Sequence, residues 1–387
     1  MRFGTAKLYL ATFTVLGTTV STRPLVSDET SPPAAVAPEA LDPRDDGLAR
    51  GLDFLLTSQN KNGSWGTGVT RRPIEILADI PGSHHAFRVG TTALGVLALL
   101  KSPRRHEDCL KAALTGLQYL LKHSRVRRPN AMEHYNVWAF AYSLETFCLV
   151  LSDERFRNDA ILTRVRDGAN ALIRALELYQ TLDGGWGYYD FNAGTYRPSG
   201  SSTTFTTATV LIALHNAQAR HLEVSPRVVK RGLRAIRRLR KADGSYVYGT
   251  YARYRPEIGY NTIKGSLGRT PTCDFALWLY GENITRHELR RGVERLFTHH
   301  RFFDLGRKRP MPHESWYYNS GYYFYYGHYY TARVIQLLGP EHVARLATTN
   351  RRLILERQEA DGSWWDFPFY GYHKPYGTAL ALLALYL

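Results

Sequence analysis

Cysteine is nearly absent from these 387 residues, and the three present, Cys109, Cys148 and Cys273, form neither a metal-binding nor a redox pattern. The apolar stretch near the N-terminus, LYLATFTVLGTTV, has thirteen residues, too few to span a bilayer. Acidic residues are outnumbered: 34 Asp and Glu against 50 Lys and Arg leave a net charge of +16. No nucleic-acid recognition motif accompanies that surplus. No pair of carboxylates placed to bracket a sugar is evident either. What the chain does have is 44% hydrophobic content, enough to bury a large core as one domain.

The N-terminus reads as an address. MRFGTAK is a basic segment ahead of the apolar stretch, and Val20-Ser21-Thr22 offers a cleavage site, so residues 1–22 are expected to be a signal peptide. Residues 23–46, rich in proline and scattered acids, are expected to be a disordered linker. The protein is then exported to the periplasm or beyond, with an uncleaved membrane anchor as the other reading. Export also argues against nucleic acid as a partner.

One short phrase recurs. SQNKNGSWG (58–66), YQTLDGGWG (179–187), LRKADGSYVYG (239–249) and RQEADGSWWDF (357–367) share one internal spacing. In each, an aromatic (Trp65, Trp186, Tyr246, Trp364) follows Gln59, Gln180, Arg240 or Gln358 by six residues. The intervals of 121, 60 and 118 residues fix a unit of about sixty, with two slots lacking the phrase near residues 120 and 299. Each unit reads as an amphipathic helix, a turn at Asp-Gly or Asn-Gly, and a helix apolar nearly all round. Six such units from residue 47 to residue 387 imply an all-α fold, an (α/α)6 toroid of six helical hairpins. The glutamines and tryptophans are expected to be structural, tying down the turns and wedging between hairpins.

The stretch RGLDFLLTSQNKNGSWG (50–66) resembles the QW motif of the squalene cyclases, and the likeness extends over the repeat region. The chain thus looks like a prenyltransferase and squalene-cyclase repeat protein. That resemblance implies a terpenoid cyclase or prenyl-transfer relative acting on an apolar isoprenoid-type substrate. It also exposes an absence, since the Asp-x-Asp-Asp acid of the hopene-forming cyclases occurs nowhere here. DPRDDG (42–47) precedes the first helix. Asp274, a carboxylate at an inner-helix start, becomes the candidate acid. Cys273, Asp274 and His328 partly match the zinc ligands of protein prenyltransferases, but adjacent helical residues diverge by about 100° and rarely reach one ion. No metal or other cofactor is assigned.

All motif loops lead from an outer helix into an inner one, so they gather at one end of the ring. There, inner-helix N-termini favour an anion. The two units that lost the phrase face each other across the ring. They carry the loops RVRRPNAMEHYNVW (125–138) and RKRPMPHESWYYNSGYYFYYGHYY (307–330). Glu133, His134, His313 and Glu314 lie just ahead of inner helices, so His134, Glu314, Asp274 and His328 are expected to share one pocket as acid–base groups. Arg88, Tyr135, Asn136, Trp138, Trp316, Tyr317, Tyr322, Tyr372 and His373 are the candidate binding residues, with tyrosine rings suited to a polyprenyl chain, a cation or sugars.

Two further expectations concern the surface and the thiols. The bases crowding residues 227–241 suggest an anionic membrane surface as partner. Cys109 and Cys148 lie equally far from the loop between their helices, so an antiparallel hairpin would set them side by side as a disulfide. A secreted lyase or hydrolase acting on acidic polysaccharide, and a non-catalytic toroid scaffold, are the alternative functions.

Overall fold

The computed structural model describes residues 46–69, 81–104, 107–126, 135–188, 201–310 and 319–387. The expected signal peptide and linker lie outside the described residues, apart from Asp46. The described region from Asp46 onward is all-helical. Its elements are α1 (Asp46–Thr57), α2 (Pro81–Lys101), α3 (Glu107–His123), α4 (Asn136–Val150), α5 (Asp159–Leu178), α6 (Thr204–Gln218) and α7 (Pro226–Arg238). They continue with α8 (Thr270–Leu279), α9 (Arg286–Thr298), α10 (His300–Gly306), α11 (Phe324–Ile335), α12 (Pro340–Leu355) and α13 (His373–Leu385).

Two concentric layers follow from two kinds of sequence. The outer helices α1, α3, α5, α7, α9 and α12 bury one stripe each, as α1 does with Leu48, Gly51, Leu52 and Leu55. The inner helices α2, α4, α6, α8, α11 and α13 are apolar around most of their circumference, and α6 buries every residue from Thr204 to Leu214. Each inner helix packs on the next, and α13 returns to α2, which closes the ring. No described helix is long and apolar enough to cross a membrane.

The turns lock the layers together in one repeated way. Gln59, Gln180 and Gln358 each donate from Nε2 twice. One bond goes to a glycine carbonyl in their own turn (Gly63, Gly184, Gly362), at 3.0, 2.8 and 2.9 Å. The other crosses to the start of the following outer helix, at Ala112, Val228 and Gly47, at 2.9, 2.8 and 2.7 Å. The indoles of Trp65, Trp186 and Trp364 donate back to Leu55, Leu176 and Ile354 carbonyls. The three tryptophan backbone N–H groups meet the hydroxyls of Thr92, Thr207 and Thr378. Close approach needs glycine on the facing helix: a Cβ at Gly51 would lie 2.5 Å from the Trp364 ring, and one at Gly232 2.8 Å from Trp186. Trp364 on Gly51 and Gln358 on Gly47 thus join the last unit to the first.

Close packing pairs each inner helix with the outer helix that follows it, α2 with α3 and α4 with α5. This overturns the expected disulfide. Cys109 on α3 and Cys148 on α4 belong to different pairs, and all three cysteines are free and buried. On α7, Arg227, Lys230, Arg234, Arg237 and Arg238 are exposed, whereas Arg231 donates to the Thr181 and Leu182 carbonyls.

Candidate functional site

Aromatic side chains of the inner helices meet one another across the ring. Trp138 and Tyr142 on α4 stack at 5.3 Å, and Trp138 meets Tyr326 on α11, from the unit across the ring, at 6.1 Å. Phe205 on α6 packs on Tyr323 at 4.9 Å. The Tyr326 hydroxyl reaches Thr209 Oγ1 at 2.8 Å. Toward the inner-helix C-termini, Glu145 on α4 accepts from Arg333 on α11 at 3.2 Å and from the Tyr329 hydroxyl at 3.4 Å. Arg333 also lies over the Phe275 ring. These contacts form a floor across the axis.

Above that floor, at the motif-loop end, the aromatics form a wall that is only partly covered. Phe87, Phe367, Phe369 and Tyr372 make a buried cluster, with Tyr135, Tyr322, Tyr370 and Tyr376 half-buried against it. The backbone is strained there: Tyr135 and Tyr370 hold positive φ of 69° and 47°, conformations that persist only when the surroundings enforce them. Tyr135 stacks on Tyr188 at 5.6 Å. A hydroxyl chain runs along the wall, from Tyr323 to Tyr248 at 3.4 Å and from Tyr248 to Tyr188 at 3.3 Å.

Asp274 is not part of this wall. Its Oδ1 accepts from the Tyr246 hydroxyl at 2.7 Å, and its Oδ2 faces Gly292 of α9, where a Cβ would lie 3.1 Å away. The tyrosine and carboxyl together occupy the layer between α8 and α9, where other units place an indole against a glycine. Burial pushes Asp274 up to about 7, against the lowering influence of Tyr246 and Arg240. Arg240, standing where other turns have glutamine, instead pairs with Glu288 at 2.7 Å.

His328 also turns outward. Its Nδ1 lies 2.6 Å from Asn350 Oδ1 of α12 and its Nε2 3.2 Å from His300 Nε2. Burial depresses His328 to about 3 and His300 to about 4, so both rings are neutral. Cys273, Asp274 and His328 therefore do not converge on one ion, and no group of three metal-capable side chains occurs among the described residues. The proposed pocket of His134, Glu314, Asp274 and His328 is corrected on both testable members. His134, Glu314, Trp316 and Tyr317 lie outside the described residues.

The remaining candidates divide. Trp138 faces the axis, and Tyr135 and Tyr322 the wall. Asn136 is buried with its Nδ2 toward the Tyr179 hydroxyl. Tyr372 is fully buried and donates to the His84 carbonyl. His373 sits on the rim, with Nδ1 2.6 Å from the Tyr370 carbonyl. Arg88 hydrogen-bonds the hydroxyls of Tyr119 and Tyr372, beside His85 and His123.

Two charged residues escaped the sequence reading. Asp366, two residues after Trp364, is buried and accepts from the Tyr325 N–H at the start of α11 at 3.1 Å. Burial raises it to about 7, although backbone N–H groups hold its oxygens. Arg269 is fully buried immediately before the Thr270–Pro271 helix start. A buried cap and a buried cation both read as ordinary loop residues in one dimension.

Glutamine-anchored turns closing a ring of helix pairs accord with the family that the sequence matches. The chain belongs to the squalene-hopene cyclase C-terminal domain family. The match covers residues 34–254. No curated protein matches the chain. Among solved structures, the apo type II terpene cyclase MstE from Scytonema is 16% identical, with 88% of this chain and 97% of that chain covered and a TM-score of 0.49. An α-1,6-mannanase from Salegentibacter is 10% identical over 88% and 98%, with a TM-score of 0.57. A possible GH105 family member from Salmonella enterica is 15% identical over 88% and 92%, at 0.51. The likenesses to the mannanase and the GH105 protein carry the toroid fold, and the cyclase-like family assignment rests on the sequence match.

Proposed function

We propose that this squalene-cyclase-like toroid binds an apolar isoprenoid-type chain against the aromatic wall at the motif-loop end. The supporting observation is the half-buried set Tyr135, Tyr322, Tyr370 and Tyr376 around Phe87, Phe367 and Phe369. Apolar surface left partly uncovered on these side chains gains about 25 cal/mol for each Å² removed from water. The same faces attract a cation. Acid catalysis of the cyclase type finds little support in the described residues. Asp274 is held by Tyr246, Asp366 by backbone N–H groups and Glu145 by Arg333. Carboxyls raised to about 7 are also weak proton donors to a carbon–carbon double bond. The reading is therefore ligand binding first.

The test is mass spectrometry of organic extracts from purified protein, beside a Trp138→Ala/Tyr376→Ala variant. An isoprenoid-type lipid retained by the first and lost from the second, with the variant still folded by circular dichroism, is expected. Retained glycan in place of lipid would transfer the site to the polysaccharide-acting alternative.

A further inference from the structure

Among the described residues, Arg269 is a buried charge without a counter-charge. It is 0% exposed. Its hydrogen bond there runs from Nη2 to the Tyr260 carbonyl at 2.6 Å. Nε and Nη1 are buried with no hydrogen-bond partner. Its carbon centre lies 4.9 Å from the Tyr248 ring and 5.6 Å from the Tyr323 ring. Two aromatic faces help hold a cation in place, but they do not satisfy two N–H groups. Removing an ion from water without a partner is costly. The location makes this worse, because Arg269 is the residue that caps the N-terminus of α8. A helix start carries partial positive charge and disfavours a cation. Two positive features therefore converge where each needs an anion, beside the Tyr248 and Tyr323 rings, whose hydroxyls link to one another and on to Tyr188.

We propose that Arg269, the first turn of α8 and these tyrosine hydroxyls form an oxyanion site for the carboxylate or phosphate head group of the ligand. This rests on the proposed binding of the apolar chain against the same wall. The tail lies on the ring faces, and the head group supplies the charge that Arg269 lacks. Guanidinium matches both oxyanions through charge-assisted hydrogen bonds, so the head-group class is shared and the experiment separates its members.

Full-length protein is titrated with geranylgeraniol, geranylgeranoic acid and geranylgeranyl monophosphate, in the wild type, Arg269→Met and Tyr323→Phe. One or both charged ligands are expected to bind at least tenfold more tightly than the alcohol. Which one does so identifies the head group. Arg269→Met should erase that advantage while raising the melting temperature of the empty protein, since an uncompensated charge is gone. Tyr323→Phe keeps the ring and should reduce the advantage several-fold with only a small loss of stability, which covers the case of a poorly folding Arg269→Met. Equal binding of all three ligands, or an advantage intact in both variants, would overturn the anion site while leaving the apolar reading in place. If no ligand with a tail binds, the reading of the wall fails. Stabilisation by inorganic phosphate alone, present in the wild type and absent from Arg269→Met, then judges the anion site separately. A lower melting temperature for Arg269→Met with an unchanged head-group preference would make the arginine purely structural.

Discussion

Asp274 shows how one residue can carry the right chemistry in the wrong direction. A lone carboxylate at an inner-helix start looked like an acid, yet its position on the circumference of α8 turns it toward Gly292 and Tyr246. Sequence spacing located the helix start but not its rotation. The pH behaviour follows from burial. A carboxyl raised to about 7 in the fold, against 3.8 unfolded, holds its proton longer in the folded state. Its contribution is present below about pH 4 and is lost as pH rises through 7. Asp274→Asn should therefore gain stability relative to the wild type between pH 5 and 8, as followed by urea denaturation at several pH values. A difference that shrinks with rising pH would refute the assignment. The tryptophans give a larger effect. Trp65→Ala, Trp186→Ala and Trp364→Ala should each cost about 3 to 5 kcal/mol, because each removes a fully buried ring and strands the carbonyl it served. Unchanged melting temperatures in all three would contradict a wedge role.

At the level of elements, the two-helix unit was readable because two periodicities alternate along the chain. A striped helix precedes each turn, and a helix apolar all round follows it. The order of units and their outer or inner placement followed from that. Which helices pack most closely did not. The closer pairing of α2 with α3 than of α3 with α4 is a property of the packed ring that periodicity along the chain does not carry. The misplaced Cys109–Cys148 bond is its direct consequence. The crossing bond of each glutamine gives a prediction at this scale. Gln358→Ala removes the donor to both Gly362 and Gly47 carbonyls. Leaving acceptors unpaired in a half-buried turn should cost about 1 to 3 kcal/mol by denaturant titration. Gly51→Ala should cost a similar amount, because its methyl group would enter the Trp364 ring. Additivity of the two would be informative: both act on the joint between the last unit and the first, so a coupled, less-than-additive loss is expected.

Across the molecule, closure of the ring brings tyrosines that are far apart in sequence to one wall. That is why the candidate site was only partly legible. Trp138, Tyr135 and Tyr322 could be picked because aromatics cluster just ahead of α4 and α11. Arg269 and Asp366 could not, since their significance lies in burial and in missing or unusual partners. The most direct test of ligand class is calorimetric titration of the full-length protein with geranylgeraniol, beside an acidic oligosaccharide and a manno-oligosaccharide. Saturable one-to-one binding of the isoprenoid alcohol is expected, with a negative heat-capacity change from apolar burial, and no binding of either sugar. Saturable binding of a sugar with none of the isoprenoid would contradict it.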